Sequence, residues 1–333
     1  MRRFLILPLL ALVFAVALTG CGGSSGSGSG KKVTLAAYST PKEAYAKLIT
    51  AFNATPAGTL VSFSQSFGAS GEQSRAVDAG LPADVVAFSL EPDVTRLVKS
   101  GLVSPTWNAG TDKGNVTDSV VVLAVRKGNP KHIRTFDDLI KPGVKVVTPN
   151  PITSGGARWN VMAAYGAARR EGKSDAQAIE FLKALFKNVV VQDKSARESL
   201  QTFSSGKGDV LVAYENEAIT AQKKGIPLDY VIPDKTILIE NPVAVTKRGE
   251  SSAAAKAFVA FLHTAPAQKI FAAKGYRPVL ASEQDPKKFP KPPGLFTIAE
   301  LGGWKTVSKK FFDPSSGVVA GIERSLGVST ASG

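Results

Sequence analysis

Past residue 30 the apolar positions follow two alternating rhythms. Short runs rich in β-branched residues predict strands at 33–37, 60–64, 84–88, 120–125, 144–148, 189–192, 210–213 and 238–245. Helical spacing predicts helices between them at 42–52, 72–79, 92–99, 158–170, 175–186 and 195–204, and after them at 252–263, 265–273 and 298–311. Strands alternating with helices predict an α/β fold with largely parallel sheets. A proline-rich stretch at 285–294 breaks the pattern, and no repeat of fixed period is present. A chain this long usually divides into two lobes rather than growing one core, and the long apolar strands 120–125 and 238–245 are placed as hinge segments between them.

The junctions where a strand hands over to a helix share one chemistry. The richest is Ser154-Gly155-Gly156, which follows Thr148-Pro149-Asn150-Pro151 and opens a helix. Glycine lets an oxyanion approach bare backbone N–H groups, the helix dipole favours negative charge there, and Ser154 suits either a cap or a donating hydroxyl. Tyr38-Ser39-Thr40-Pro41-Lys42 repeats the arrangement, with Thr40 expected as cap and Pro41 as first helical residue. Phe67-Gly68-Ala69-Ser70-Gly71-Glu72 and Asp193-Lys194-Ser195-Ala196-Arg197 do the same. Ligands of open α/β sheets gather beyond the carboxyl ends of strands, so four such ends point to one small oxyanion.

Other chemistries find little support. His132 and His263 stand far apart without ligand-spaced partners, so neither a metal site nor a catalytic histidine is expected, and no cofactor motif appears. Ser39-Thr40-Pro41-Lys42 fits S-x-x-K, but no SDN or KTG box follows; the Ser70 turn lacks the second glycine of G-x-S-x-G; no P-loop is present. An enzyme acting on small sulfate or phosphate esters through Ser154 or Ser70 would lack its base and metal. Glu215 and Glu217 read as acids in the first turn of a helix rather than as a catalytic pair.

Charge and the N-terminus add an address. The formal charge is +14, spread without an arginine-rich block, which argues against a nucleic-acid partner. Arg2 and Arg3 precede an apolar run at 4–17, and Leu18-Thr19-Gly20 leads directly to Cys21, the sole cysteine. The apolar run is shorter than the ~20 residues that span a bilayer. The order resembles a bacterial lipoprotein signal, which implies cleavage before Cys21, a lipid anchor on its thiol and an extracytoplasmic protein on the cell membrane. Loss of residues 1–20, which contain no acid, lowers the charge to +12. The Gly/Ser segment 21–30 is a flexible tether.

VRKGNPK (125–131), DDLIKPGV (137–144), TPNP (148–151), SGGARWN (154–160), KALFKNV (183–189), GDVLVAYENEA (208–218) and YRP (276–278) resemble the sulfate/thiosulfate-binding proteins of bacterial ABC importers. FGASGEQ (67–73) and LFTIAELGGW (295–304) fit the same pattern. The resemblance implies a two-lobed type II periplasmic-binding fold, each lobe a mostly parallel sheet flanked by helices, joined by hinge strands around a buried cleft, and no enzymatic activity. Lobe I takes 31–119 and 238–290, lobe II takes 120–237, 291–320 packs on the lobes as a C-terminal helix, and 321–333 is a tail. It further implies a monomer that binds sulfate or thiosulfate and delivers it to the transmembrane subunits of an ABC permease. Phosphate, molybdate and tungstate are the competing ligands.

Carried onto this sequence, the dehydrated ligand meets the N–H groups of Thr40, Ser70, Gly155, Gly156 and Ala196, the Ser154 hydroxyl, and the side chain of Tyr214. Two positions depart from the family pattern: Thr40 stands where aspartate usually precedes the proline, and Tyr214 where tryptophan donates its indole N–H. Tyr214 keeps a donor, but a hydroxyl also accepts.

Overall fold

Residues 31–327 are described by a computed structural model; the signal segment 1–20, Cys21, the tether 21–30 and the last residues of the tail lie outside the described residues. The chain opens with Lys32–Tyr38 (β1), Lys42–Asn53 (α1), Ser62–Gly68 (β2), Ser70–Asp78 (α2), Val85–Ala87 (β3) and Glu91–Lys99 (α3). β1 pairs in parallel with β2 and β3, as strands joined through helices do. The long strand Asn115–Arg126 (β4) then leads to Val146–Pro149 (β5), Gly155–Arg170 (α4), Asp175–Lys187 (α5), Val189–Asp193 (β6), Ala196–Ser204 (α6), Val210–Tyr214 (β7), Glu215–Lys223 (α7) and Leu228–Val231 (β8). Here β5 pairs in parallel with β6 and β7. Leu238–Val245 (β9) is followed by Ala253–Leu262 (α8), Ala265–Ala273 (α9), Arg277–Pro278 (β10), Gly303–Phe312 (α10) and Val318–Ser325 (α11).

The strands join in the order β2-β1-β3-β9-β4-β7-β5-β6. β9 and β4 run antiparallel at the centre; β9 also pairs with β3, and β4 with β7 and β8. These two strands are therefore common to both halves of the curled sheet. Each half buries two apolar clusters. Leu35, Tyr45, Phe52, Phe258 and Phe271 fill the larger cluster of the first half, and Val121, Leu123, Trp159, Met162 and Phe296 the larger cluster of the second. α10 joins the latter through Trp304, whose ring meets Trp159 edge-on at 4.7 Å.

Several sequence expectations shift. Leu60 is 81% exposed at φ +62°, a left-handed conformation that no strand holds, so β2 begins only at Ser62. α2 and α4 start earlier than their apolar periodicity indicates, at Ser70 and Gly155, because their first turns are built from small residues. The 298–311 helix is broken at Gly302, φ +97°, and α10 starts after it. β8 and the length of α7 were not legible in the pattern. α11 continues past residue 320, where the tail was expected to begin, because Ile322 and Glu323 are buried. Pro41, not Thr40, occupies the N-cap of α1; the Thr40 hydroxyl lies 3.3 Å from that of Tyr276 instead.

Candidate ligand-binding site

Helix starts from both halves of the sheet meet at one place. Ser154 caps α4: its Oγ accepts from the Ala157 N–H at 3.3 Å, leaving the hydroxyl proton free to donate. A Cβ on Gly155 would stand 2.7 Å from Ser89 Oγ and 2.8 Å from Leu90 Cδ2, so α4 approaches the end of β3 more closely than any other residue allows. A Cβ on Gly156 would lie 3.4 Å from Ala196 Cβ, 3.4 Å from Ser154 Oγ and 3.5 Å from Tyr214 Cε1. The starts of α4 and α6 and the end of β7 thus converge on Gly156.

The first half of the sheet supplies the opposite wall. The Gly71 N–H donates to the Thr153 carbonyl at 3.0 Å, tying the start of α2 to the turn before α4. Ser70 Oγ donates to Asp93 at 2.6 Å and accepts from the Ser89 N–H at 2.9 Å. Arg197, on α6, donates to the Thr40 carbonyl at 2.8 Å. Thr40, Ser70, Ser154, Gly155, Gly156, Ala196 and Tyr214 are therefore brought together. Among the described residues, the N–H groups of Thr40, Ser70, Gly155, Gly156 and Ala196 donate to no protein acceptor. Ser70, Gly155, Gly156 and Ala196 stand in the first turn of a helix, where no preceding helical carbonyl serves as acceptor, and Thr40 stands just before the cap of α1.

The sequence expectation puts the Tyr214 hydroxyl on a ligand. That hydroxyl is buried and lies 2.6 Å from Ser89 Oγ. When Ser89 donates, the phenol proton stays available; when Tyr214 donates, it does not. Burial holds the Tyr214 phenol well above its ordinary pKa, so it remains a neutral hydroxyl. The Ser89 carbonyl in turn accepts from Trp159 Nε1 at 2.8 Å and Asn241 Nδ2 at 3.0 Å. Ser89 and Asn241 escaped the sequence reading. Their only signal is a polar residue at the end of, or within, a buried strand.

Full charges stand one step outside these turns. Arg197 reaches Glu43 at 2.6 and 2.9 Å and Glu217 at 2.9 and 3.1 Å, and Lys224 joins Glu43. Burial pushes the Glu43 carboxyl up, but hydrogen bonds from Arg197 and Lys224 prevail and hold it at about 2. For fully buried Glu217 burial wins over Arg197 and raises the pKa. Glu215 pairs with Arg277 at 2.7 and 3.0 Å. Both acids of the Glu215-Asn216-Glu217 segment thus sit in the first turn of α7 as ion-pair members. His263 Nδ1 lies 3.3 Å from Asp112, and neither histidine reaches the site. Among the described residues no group of three or more His, Cys, Asp or Glu is placed to hold a metal.

Comparison with known proteins adds an independent line. Residues 33–277 match the family described as bacterial extracellular solute-binding protein. The chain is 44% identical over 327 residues to the sulfate-binding protein of Synechococcus elongatus, with 93% of each covered. It is 36% identical over 270 residues to the thiosulfate-binding protein of Escherichia coli K12, covering 77% of this chain and 79% of that one. The sulfate-binding protein SubI from Mycobacterium tuberculosis H37Rv superposes with a TM-score of 0.83 at 44% identity, covering 85% of this chain and 100% of the other. Among the described residues no helix is long and apolar enough to cross a membrane.

Proposed function

The chain belongs to the bacterial extracellular solute-binding proteins, and from that premise we propose that it captures sulfate on the helix starts gathered around Gly156. Proteins of this family are non-enzymatic, extracytoplasmic components of ABC importers, and so is this one.

One observation carries the sulfate reading: a set of neutral donors with little acceptor capacity left over. The N–H groups of Thr40, Ser70, Gly155, Gly156 and Ala196 have no protein acceptor among the described residues, and the acceptor side of Ser154 Oγ is taken by Ala157. Stripping water from a dianion is costly unless its oxygens are hydrogen-bonded, and each charge-assisted bond returns about 1.5–3 kcal/mol. Ser154 donates the sixth bond, and Tyr214 donates a seventh when Ser89 donates to it. Sulfate carries no proton near neutral pH, whereas phosphate keeps at least one, which finds no acceptor in such a site. Thiosulfate meets the same donors, and the E. coli relative named for it makes it the second ligand to test.

Lobe I is residues 31–119 and 238–290, lobe II is 120–237, and β4 with β9 is the hinge about which they close on the ligand. The closed protein, acting as a monomer, docks on the transmembrane subunits of its permease. Cys21 carries the lipid that keeps it at the membrane; Cys21→Ala abolishes lipid labelling and releases the protein with its affinity intact, and a variant retained on membranes would overturn the anchor.

Calorimetric titration with sulfate, thiosulfate, phosphate and molybdate tests the ligand. One site for sulfate, with phosphate much weaker at both pH 6 and pH 8, is expected. Equal binding of phosphate, or none of sulfate, overturns the assignment.

A further inference from the structure

Away from the helix starts, three arginines on three helices line one cavity of about 340 Å³: Arg75 on α2, Arg96 on α3 and Arg158 on α4. Part of its wall is apolar, including Ile152, Phe312 and Val319. Converging guanidinium groups repel one another unless counter-charge lies among them.

Counter-charge is short here. Arg96 pairs with Asp93 at 3.3 Å. Among the described residues Arg75 and Arg158 make no ion pair; their side chains donate to backbone carbonyls, Arg75 to Ile152 at 3.4 Å and Arg158 to Pro151 at 2.9 Å. The Arg158 guanidinium also lies 5.1 Å over the Phe312 ring. Two carboxyl groups face the cavity. Asp313 is occupied by the N–H and hydroxyl groups of Ser315 and Ser316. Glu323 is buried with neither oxygen in a well-formed hydrogen bond among the described residues, and burial, opposed by the neighbouring Gln192 side chain, pushes its pKa up to about 7. Asp93 and the ionised Asp313 offset two of the three guanidinium charges and Glu323 ionises only in part near neutral pH, so the cavity keeps a small positive excess beside an apolar wall, in a volume typical of small-molecule pockets.

We infer that this cavity is a second ligand site, for a small organic anion whose sulfate, sulfonate or phosphate head lies between Arg75 and Arg158 and whose apolar body lies against Ile152, Phe312 and Val319. Guanidinium forks match tetrahedral oxyanions in geometry as well as charge. An inorganic ion satisfies the arginines but leaves the apolar wall uncovered, whereas an aryl ester meets both.

The test is calorimetric titration of p-nitrophenyl sulfate, and separately of phenyl phosphate, into protein already loaded with one equivalent of inorganic sulfate. One additional site is expected for at least one of the two probes. Arg75→Gln and Arg158→Gln should each weaken it by about tenfold or more, with the sulfate affinity of the cleft unchanged and the melting curve cooperative. Arg75, on a different helix, keeps the test decisive should Arg158→Gln fail to fold. No additional site for either probe up to millimolar concentration, a site that the arginine variants leave intact, or a probe that merely displaces sulfate each overturns the proposal.

Discussion

Two neighbouring regions of this molecule handle charge in opposite ways. Around Gly156 the donors are neutral: N–H groups at helix starts and hydroxyls, with Thr40, Ser70 and Ser154 all buried. One residue along α6 from Ala196, Arg197 is locked to Glu43 and Glu217, and Arg277 is locked to Glu215 at the start of α7. The first region offers dipoles fixed by the fold, which need no counter-ion and can each donate but hardly accept. The second holds full charges already neutralised by one another, so it draws no ligand and instead ties the Thr40 turn to α6 and α7. A free cation inside the cleft would bind any anion; oriented dipoles select by the number of protons the anion carries.

The steepest test of the neutral region compares its two glycines. Gly155→Ala places a Cβ within 2.7–2.9 Å of Ser89 and Leu90, so α4 and the end of β3 must move apart, and sulfate affinity should fall about a hundredfold or more. In Gly156→Ala the nearest protein atoms lie at 3.4–3.5 Å, so stability without ligand should stay near wild type while affinity drops, since that methyl faces Ser154, Ala196 and Tyr214. Equal tolerance of both substitutions in calorimetry would separate the anion from this turn.

For the charged region, Arg197→Gln leaves Glu217 buried without its cation and frees the Thr40 turn. Breaking such a buried pair costs about 3 kcal/mol, readable as a shift in the urea midpoint. A shift of only a few tenths would mean that the belt is ornamental to stability.

Tyr214→Phe removes one hydroxyl from the boundary between the two regions and strands that of Ser89. Sulfate affinity should fall about tenfold, one hydrogen bond to a charged partner. Tyr214→Trp, restoring an N–H donor, should recover part of it. Unchanged binding in Tyr214→Phe would leave the backbone groups as the whole of the site.

The smallest effect is in acid. Glu43 is held at about 2, below its value in the unfolded chain. Its stabilisation is therefore present above the unfolded value and lost as the pH falls toward 2, a contribution of ~1 kcal/mol for so partly exposed a group. Wild type should exceed Glu43→Gln in stability at pH 6, and the two should converge by pH 2 in thermal melts. A difference that persists at pH 2 would show that the Glu43 pair owes its effect to packing rather than charge.

Much of the molecule was legible in its sequence because local rules act over a few residues. The β-branched runs located β9 at Leu238–Val245, and helical spacing located α9 at Ala265–Ala273, each with its observed bounds. Glycine and serine at Ser154-Gly155-Gly156 announced a helix start with exposed donors, and the serine does cap it. What no local rule contains is which distant groups meet. Ser89 bridges Ser70, Tyr214, Trp159 and Asn241 without any motif of its own, and the Thr40 hydroxyl finds Tyr276 rather than capping α1. The sequence alone determined the kind of turn and the donors it can expose, since those follow from backbone sterics and capping. Only the tertiary structure decided that turns far apart in the chain share one point, because that depends on how β4 and β9 bring the two halves of the sheet together.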